Sequence, residues 1–228
     1  MTRMFRTITA TWNPICGCFF GCTYCWARGL AETRLKHSPR YRDGFKPKLI
    51  EAELSRRFKP GEFVFICSMG DIAWAEQEWV ERILERIVKF PETKFLFQSK
   101  DPRQYSDWHL DFPPNLYLGT TIETNRDYQL SKAPSPSERY LAMTFSETIF
   151  RHPHRFIGIE PIMDFDLEVL VRWVENINPE IVEVGADNYG NNLPEPPWGK
   201  VEELLSRLRL ICPRVEEKDG LSRLKNNL

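Results

Sequence analysis

Three cysteines fall within eight residues near the start of this chain, in the spacing Cys18-x3-Cys22-x2-Cys25. Whatever the rest of the chain folds into has to carry that loop and hold its thiols together. Three thiolates gathered on one short loop suit three irons of a [4Fe-4S] cluster and leave the fourth iron without a protein ligand. An open metal position marks a catalytic centre, whereas structural metal sites are closed by a full ligand set. In the run C-G-C-F-F-G-C-T-Y-C-W-A, Gly17 and Gly21 let the backbone turn tightly around such a group. Zinc is the alternative, but a zinc site pairs two Cys-x2-Cys knuckles, or one knuckle with a distant histidine pair, and a second knuckle is missing here. A disulfide needs an oxidising compartment, which nothing else in the sequence indicates. Cys16 offers a second spacing, Cys16-x5-Cys22-x2-Cys25, and is assigned to the supporting loop.

Apolar, β-branched runs alternate with stretches of helical period, the pattern of repeated βα units on a parallel sheet. Strands are expected at Phe5–Ala10, Glu62–Cys67, Lys94–Gln98, Leu116–Thr121, Arg155–Ile159 and Glu180–Val184, with a seventh at Arg214–Glu217. Helices are expected near Trp26–Arg34, Lys48–Phe58, Gln77–Phe90, Ser137–Phe150, Leu167–Asn176 and Val201–Ile211. In the fourth residue of Gln77–Phe90 and beyond, Val80, Ile83, Leu84, Ile87 and Val88 share one face, opposite Glu81, Arg82, Glu85 and Arg86. Six βα units fall short of a full eightfold barrel. They predict an α/β fold, a partial (β/α)6 TIM-like barrel with parallel strands, the cysteine loop following strand 1, and a single domain over residues 1–228.

Polar residues gather just past the carboxyl ends of these strands: Ser68 and Asp71, Ser99 and Lys100, Glu123 and Asn125, Glu160, then Asp187 and Asn188. Parallel βα architectures build their active sites on that face, where the βα loops converge. Loops are polar in any protein, and Asp and Ser often cap helices. Ordinary loop polarity does not explain why the cysteines arrive on the same face.

With 31 basic and 32 acidic residues, the whole chain does not advertise a polyanionic partner. The first residues carry no long apolar stretch and no run reaches the length of a membrane span, so a soluble cytoplasmic protein without a membrane partner is expected. Six cysteines fit a reducing compartment, with Cys67 and Cys212 in apolar surroundings. Local charge is another matter: Arg34–Lys48 holds six basic residues and one acidic, interleaved with Tyr41 and Phe45. Such a segment suits gripping phosphates while a base stacks, although charge runs more often simply face water. The Pro-rich stretch Asn191–Trp198 reads as a lid or a connection, and His152 and His154, flanking Pro153, as structural.

The cysteine loop resembles that of the radical S-adenosyl-L-methionine (SAM) superfamily through Cys18, Cys22, Tyr24 and Cys25. The segments T-W-N-P, C-T-Y-C-W-A, S-M-G-D, L-G-T-T-I-E-T-N, I-G-I-E-P-I and V-G-A-D-N resemble a phage-associated branch of radical-SAM-like proteins. The run C-T-Y-C-W-A is also similar to that of the spore photoproduct lyases, a DNA-repair branch. The resemblance implies an enzyme with a [4Fe-4S] cluster on Cys18, Cys22 and Cys25. Its open iron would chelate SAM, and reductive cleavage would give a 5′-deoxyadenosyl radical that abstracts hydrogen. It further implies a reductant such as flavodoxin or ferredoxin, and Tyr24 as a backbone neighbour of the adenine. Where the superfamily often carries a G-G-E-like segment for the SAM amino group, this chain has Ser68-Met69-Gly70-Asp71, which makes Asp71 the candidate acceptor. Lys100, with Ser68 or Ser99, is the candidate for the SAM carboxylate, and Glu123 for the ribose hydroxyls. Glu160 and Asp187 stand nearer the substrate, and Cys67 is a candidate hydrogen-atom donor. A nucleic acid or nucleotide is the favoured substrate; the alternative is a non-catalytic zinc or iron–sulfur module acting through a partner.

Overall fold

The computed structural model describes residues 6–226. Among them, seven parallel strands form one curled sheet in the order β1 (Ala10–Trp12), β4 (Phe63–Ile66), β5 (Lys94–Ser99), β6 (Leu116–Thr121), β7 (Arg155–Ile159), β8 (Ile181–Val184) and β9 (Arg214–Glu217). A two-stranded antiparallel ribbon, β2 (Ile15–Cys16) with β3 (Lys48–Leu49), lies outside it. The helices are α1 (Trp26–Glu32), α2 (Gln77–Val88), α3 (Gln104–Asp107), α4 (Pro136–Phe145), α5 (Glu147–Arg151), α6 (Leu167–Ile177) and α7 (Trp198–Ile211). This is the partial barrel that the alternation predicts, with the seventh strand in place as its last edge.

The central strands are apolar on both faces because both faces are covered, as parallel sheets require. On the convex side, Val64, Ile66, Phe95, Phe97, Leu118, Ile157, Val182 and Val184 pack with the apolar stripes of α2, α6 and α7 in the main core. On the concave side, Ile8, Phe63, Phe65, Leu96, Tyr117, Phe156 and Ile181 form a second buried cluster. Register sets this plug at one level, since Phe65 pairs with Leu96, Leu96 with Tyr117, and Phe156 with Ile181. Two and four residues further along, towards the carboxyl ends, the inward positions change to Gln98, Gly119, Thr121, Gly158, Glu160, Glu183 and Gly185. Here the barrel is no longer filled and a cavity opens above the plug.

Three sequence expectations are corrected. The first strand is Ala10–Trp12 and not Phe5–Ala10; Phe5 lies outside the described residues. The register Ala10↔Val64 to Trp12↔Ile66 chooses the strand, a non-local pairing that local propensity does not contain. Residues 48–58 do not form a helix: Lys48–Leu49 pairs with Ile15–Cys16, and a 3₁₀ turn follows at Glu51–Ser55. The expected helix Ser137–Phe150 is two helices, because Ser146 ends α4 and caps α5, its side chain accepting from the Ile149 N–H. A Ser in that position competes for backbone hydrogen bonds and favours a cap over a helix interior.

Candidate active site

The cysteine loop leaves β2 and is pinned by backbone hydrogen bonds to distant segments. Gly17 N–H donates to the Met69 carbonyl at 2.9 Å, Cys18 N–H to Phe45 at 3.1 Å and Thr23 N–H to Leu130 at 2.9 Å, while Lys132 N–H reaches Phe20 at 2.6 Å. The Asn13 side-chain oxygen of T-W-N-P accepts from the Ser68 hydroxyl at 3.1 Å and the Met69 N–H at 2.9 Å, so it braces the S-M-G-D loop against the cysteine loop. The two glycines at this junction are obligatory. Gly17 has φ of 90° under the Lys46–Pro47 backbone, and a Cβ on Gly70 would stand 2.8 Å from the Gly17 carbonyl oxygen.

Cys18, Cys22 and Cys25 are free and half-buried. Cys25 caps α1, its sulfur accepting from the Arg28 N–H at 3.4 Å, and the Cys18 sulfur accepts from the Phe20 N–H at 3.4 Å. Burial, and then the Asp71 carboxylate, push the Cys18 thiol above its ordinary range, so a thiolate there needs a cationic partner. Two sulfurs with N–H donors and three thiols on one loop fit a cubane cluster, whose corners are set apart. Among the described residues, no three His, Cys, Asp or Glu side chains converge on a single-ion site. Cys16 is 1% exposed and packs with Ala27, Ala31, Tyr41 and Phe45.

Facing the loop is a cavity of about 560 Å³, lined by Cys22, Tyr24, Cys25 and Trp26 on one side, by Ser68, Gly70, Asp71 and Lys100 along another, and by Glu160, Asp187 and Lys218 beyond. Asp71 is fully engaged, accepting from the Ser99 hydroxyl at 2.6 Å, the Lys100 N–H at 3.0 Å and the Ala73 N–H at 3.0 Å. Burial raises its pKa in spite of these bonds. Ser68 donates to Asn13, and Ser99 donates to Asp71 while accepting from Asp101, so both hydroxyls hold loops in place. The Lys100 ammonium pairs with Glu123 and lies 3.2 Å from the Tyr24 hydroxyl, which donates to Glu123 at 2.7 Å. Glu123, 1% exposed, also receives the Arg139 guanidinium at 2.8 Å and sits behind Tyr24 and Lys100, outside the cavity wall. Burial depresses Lys100 to about 8. Lys100 and Arg139 are thus set against the Glu123 and Asp71 carboxylates, and of the two cations only Lys100 lines the cavity.

At the far end, Glu160 pairs with Lys218, which follows β9. Burial raises the Glu160 pKa, against the pull of Lys218. Asp187 braces its own loop, accepting from the Tyr189 N–H at 3.1 Å, the Asn191 N–H at 2.5 Å and the Asn191 amide at 2.6 Å. Cys67 does not line the cavity; its thiol is 1% exposed in the main core, which removes the access a hydrogen-atom donor requires. Asn13, Gln98, Arg139 and Lys218 are site residues that sequence reasoning missed. Asn13 was within reach, because T-W-N-P stands directly before the cysteines.

The basic segment Arg34–Lys48 is corrected in part. Tyr41 and Phe45 are 4% and 6% exposed and stack on each other at 6.2 Å behind the cysteine loop, so neither ring is free for a base. Arg40 pairs with Glu53 at 2.5 Å, whereas Arg34, Lys36, Arg42 and Lys46 are exposed. No helix among the described residues is long and apolar enough to cross a membrane.

The fold recurs in solved structures at low identity. A spore photoproduct lyase double mutant with bound AdoMet and dinucleoside spore photoproduct matches with a TM-score of 0.53 and 12% identity, over 90% of this chain and 63% of that one. A radical SAM methyltransferase from Sphaerobacter thermophilus matches with a TM-score of 0.57 and 16% identity, over 97% of this chain and 70% of that one. Streptococcus suis SuiB bound to S-adenosylmethionine matches with a TM-score of 0.57 and 10% identity, over 96% of this chain and 52% of that one. The chain thus has the radical SAM fold, and it spans less than two thirds of the lyase and of SuiB. No curated protein matches the sequence. A family model described as "Protein of unknown function (DUF5131)" matches residues 4–174, and the chain belongs to that family.

Proposed function

We propose that this chain is a radical SAM enzyme, with Cys18, Cys22 and Cys25 as the ligands of a [4Fe-4S] cluster. The observation that carries the reading is the placement of Cys22 and Cys25 of this loop in the wall of a cavity that the Lys100 side chain also lines. When bound, the cluster and SAM supply one-electron cleavage to a 5′-deoxyadenosyl radical for hydrogen abstraction. The chain's own residues bind and orient. Lys100 presents its ammonium to a carboxylate, held at its backbone by Asp71 and at its tip by Glu123 and Tyr24. Asp71 positions Ser99 and Lys100, a supporting role that uses three of its lone pairs. Arg139 fixes Glu123 from behind through its second carboxylate oxygen, while the first pairs with Lys100. The apolar plug beneath the cavity keeps bulk water from the barrel floor.

The reductant is a small one-electron donor such as flavodoxin or ferredoxin, and the substrate a nucleic acid or nucleotide. The spore photoproduct lyase likeness and the exposed cations of Arg34–Lys48 support that substrate. Anaerobic reconstitution followed by iron, sulfide and 5′-deoxyadenosine analysis tests the reading. About four irons and four sulfides per chain, with deoxyadenosine formed from SAM under reduction, are expected; stoichiometric zinc without iron uptake would refute it.

A further inference from the structure

The cavity extends well past the residues assigned to cluster and cofactor, and its far floor is polar. Gln98 of β5, Glu160 after β7 and Lys218 after β9 all line it. Lys218 has a side chain 2% exposed and pairs directly with Glu160. Gln98 donates to the Thr121 hydroxyl at 2.8 Å, while its carboxamide oxygen is buried without a hydrogen-bond partner. Both side chains lie across the floor because glycines make room. A Cβ at Gly158 would stand 2.6 Å from Gln98 Nε2, and one at Gly185 2.6 Å from Glu160 Oε1.

An ion pair with a buried ammonium and a part-exposed carboxylate adds little to stability and an unpaired buried acceptor subtracts from it, so the fold alone does not account for this arrangement. We propose that Gln98, Glu160 and Lys218 form a recognition site for the edge of a keto nucleobase. The inference rests on the radical SAM reading and names the substrate class of the same cavity. Because the Glu160 acceptor and the Lys218 donor are in direct contact, a group that pairs with both must carry an N–H donor and an acceptor on adjacent atoms of one side, and a carbonyl oxygen, with two lone pairs, suits the ammonium better than a ring nitrogen with one. The lactam or imide edge of guanine, uracil or thymine does so. A trans peptide unit, with N–H and C=O pointing apart, does not. Gln98 adds an acceptor in need of a donor, and Tyr24, Trp26 and Phe65 supply ring surface in the same cavity. Enzymes that act on an extruded base read its pairing edge in this manner, between apolar side chains.

The test is equilibrium binding to the anaerobically reconstituted protein with SAM present. Uridine, thymidine and guanosine are compared with N3-methyluridine, N3-methylthymidine and N1-methylguanosine, and with short single-stranded oligomers of the same bases. At least one keto nucleoside is expected to bind, with its N-methyl counterpart about tenfold weaker or more, and Lys218→Met and Gln98→Met are expected to weaken the parent nucleoside by a similar factor. Tighter binding of the oligomer than of the nucleoside identifies a strand as the source, and the reverse identifies a free nucleotide. Equal binding of methylated and parent nucleosides overturns the proposal, as does absence of nucleoside binding to protein that holds its cluster and cleaves SAM. The methyl comparison uses the unaltered chain, so it stands even if a variant fails to fold. Failure of the cluster to assemble would refute the radical SAM reading alone.

Discussion

Lys100 in the cavity wall and Glu123 just behind it form an ion pair, joined by the Tyr24 hydroxyl from the cysteine loop and by Arg139 from α4. Four segments far apart in sequence meet in these four side chains. Removing one partner of a buried pair leaves an uncompensated charge and costs about 3–5 kcal/mol. Glu123→Gln should therefore lower the melting temperature and loosen the cysteine loop through Tyr24. Lys100→Met should retain iron but bind SAM roughly tenfold more weakly, since it deletes one charge-assisted contact. Calorimetry with SAM checks both; undiminished SAM affinity in Lys100→Met would remove Lys100 from the cofactor site.

The cysteines separate by role. Cys18→Ala, Cys22→Ala and Cys25→Ala should each abolish the brown iron–sulfur absorbance. Cys16→Ala should retain it, because Cys16 packs under the loop and away from the cavity. Parallel iron and sulfide assays on the four variants decide this, and loss of iron in Cys16→Ala alone would reassign the ligands.

Gly70→Ala tests the junction of the two loops. Its added methyl would press on the Gly17 carbonyl oxygen at 2.8 Å, so the S-M-G-D loop has to move off the cysteine loop. A lower melting temperature with reduced iron content is the expected outcome, whereas Gly199→Ala, with nothing within 4 Å of the added atom, should match the parent.

Tyr41→Ala should behave as a core truncation, destabilising the fold by about 3 kcal/mol or more and lowering iron retention. Denaturant melts measure the first and reconstitution the second. If nucleic acid binds, replacing exposed Arg34, Arg42 and Lys46 with Ala should flatten the salt dependence, since each neutralised phosphate releases condensed counterion. A salt dependence unchanged in that variant would move the contact to another face.

His152 sets a pH dependence. It is 7% exposed, burial holds its pKa below the ordinary value, and its Nε2 lies 2.5 Å from the Leu116 carbonyl oxygen. A base depressed in the folded state binds fewer protons folded than unfolded, so stability falls as pH drops below about 6.5 towards the folded value. His152→Phe should show a shallower loss between pH 7 and pH 5 in melting experiments. Parallel curves for the two proteins would mean that His152 does not titrate in that range.

Where the chain was legible, two signals agreed. The alternation of buried runs and helical stripes located the strands after the first and the α2 face, and the cysteine spacing located the loop that the barrel carries. What was missed depends on pairing across distance. Lys48–Leu49 reads as part of a helix until Ile15–Cys16 lies beside it. Lys218 reaches the cavity because β9 returns next to β8, and nothing in its neighbourhood of the sequence announces that. Gln98 reads as a strand residue, and its inward direction follows from register alone. Asp71 was legible as a polar loop residue, but its bonds to Ser99 and Lys100 were not.

The pins on the cysteine loop have a consequence for how the centre is made. Its backbone is held by Phe45, Met69, Leu130 and Lys132, so the positions of the thiols depend on contacts as far along the chain as residue 132. In small zinc modules the metal organises the polypeptide; here the polypeptide organises the receptacle. A cluster of the kind proposed above would therefore enter a loop already docked against the barrel.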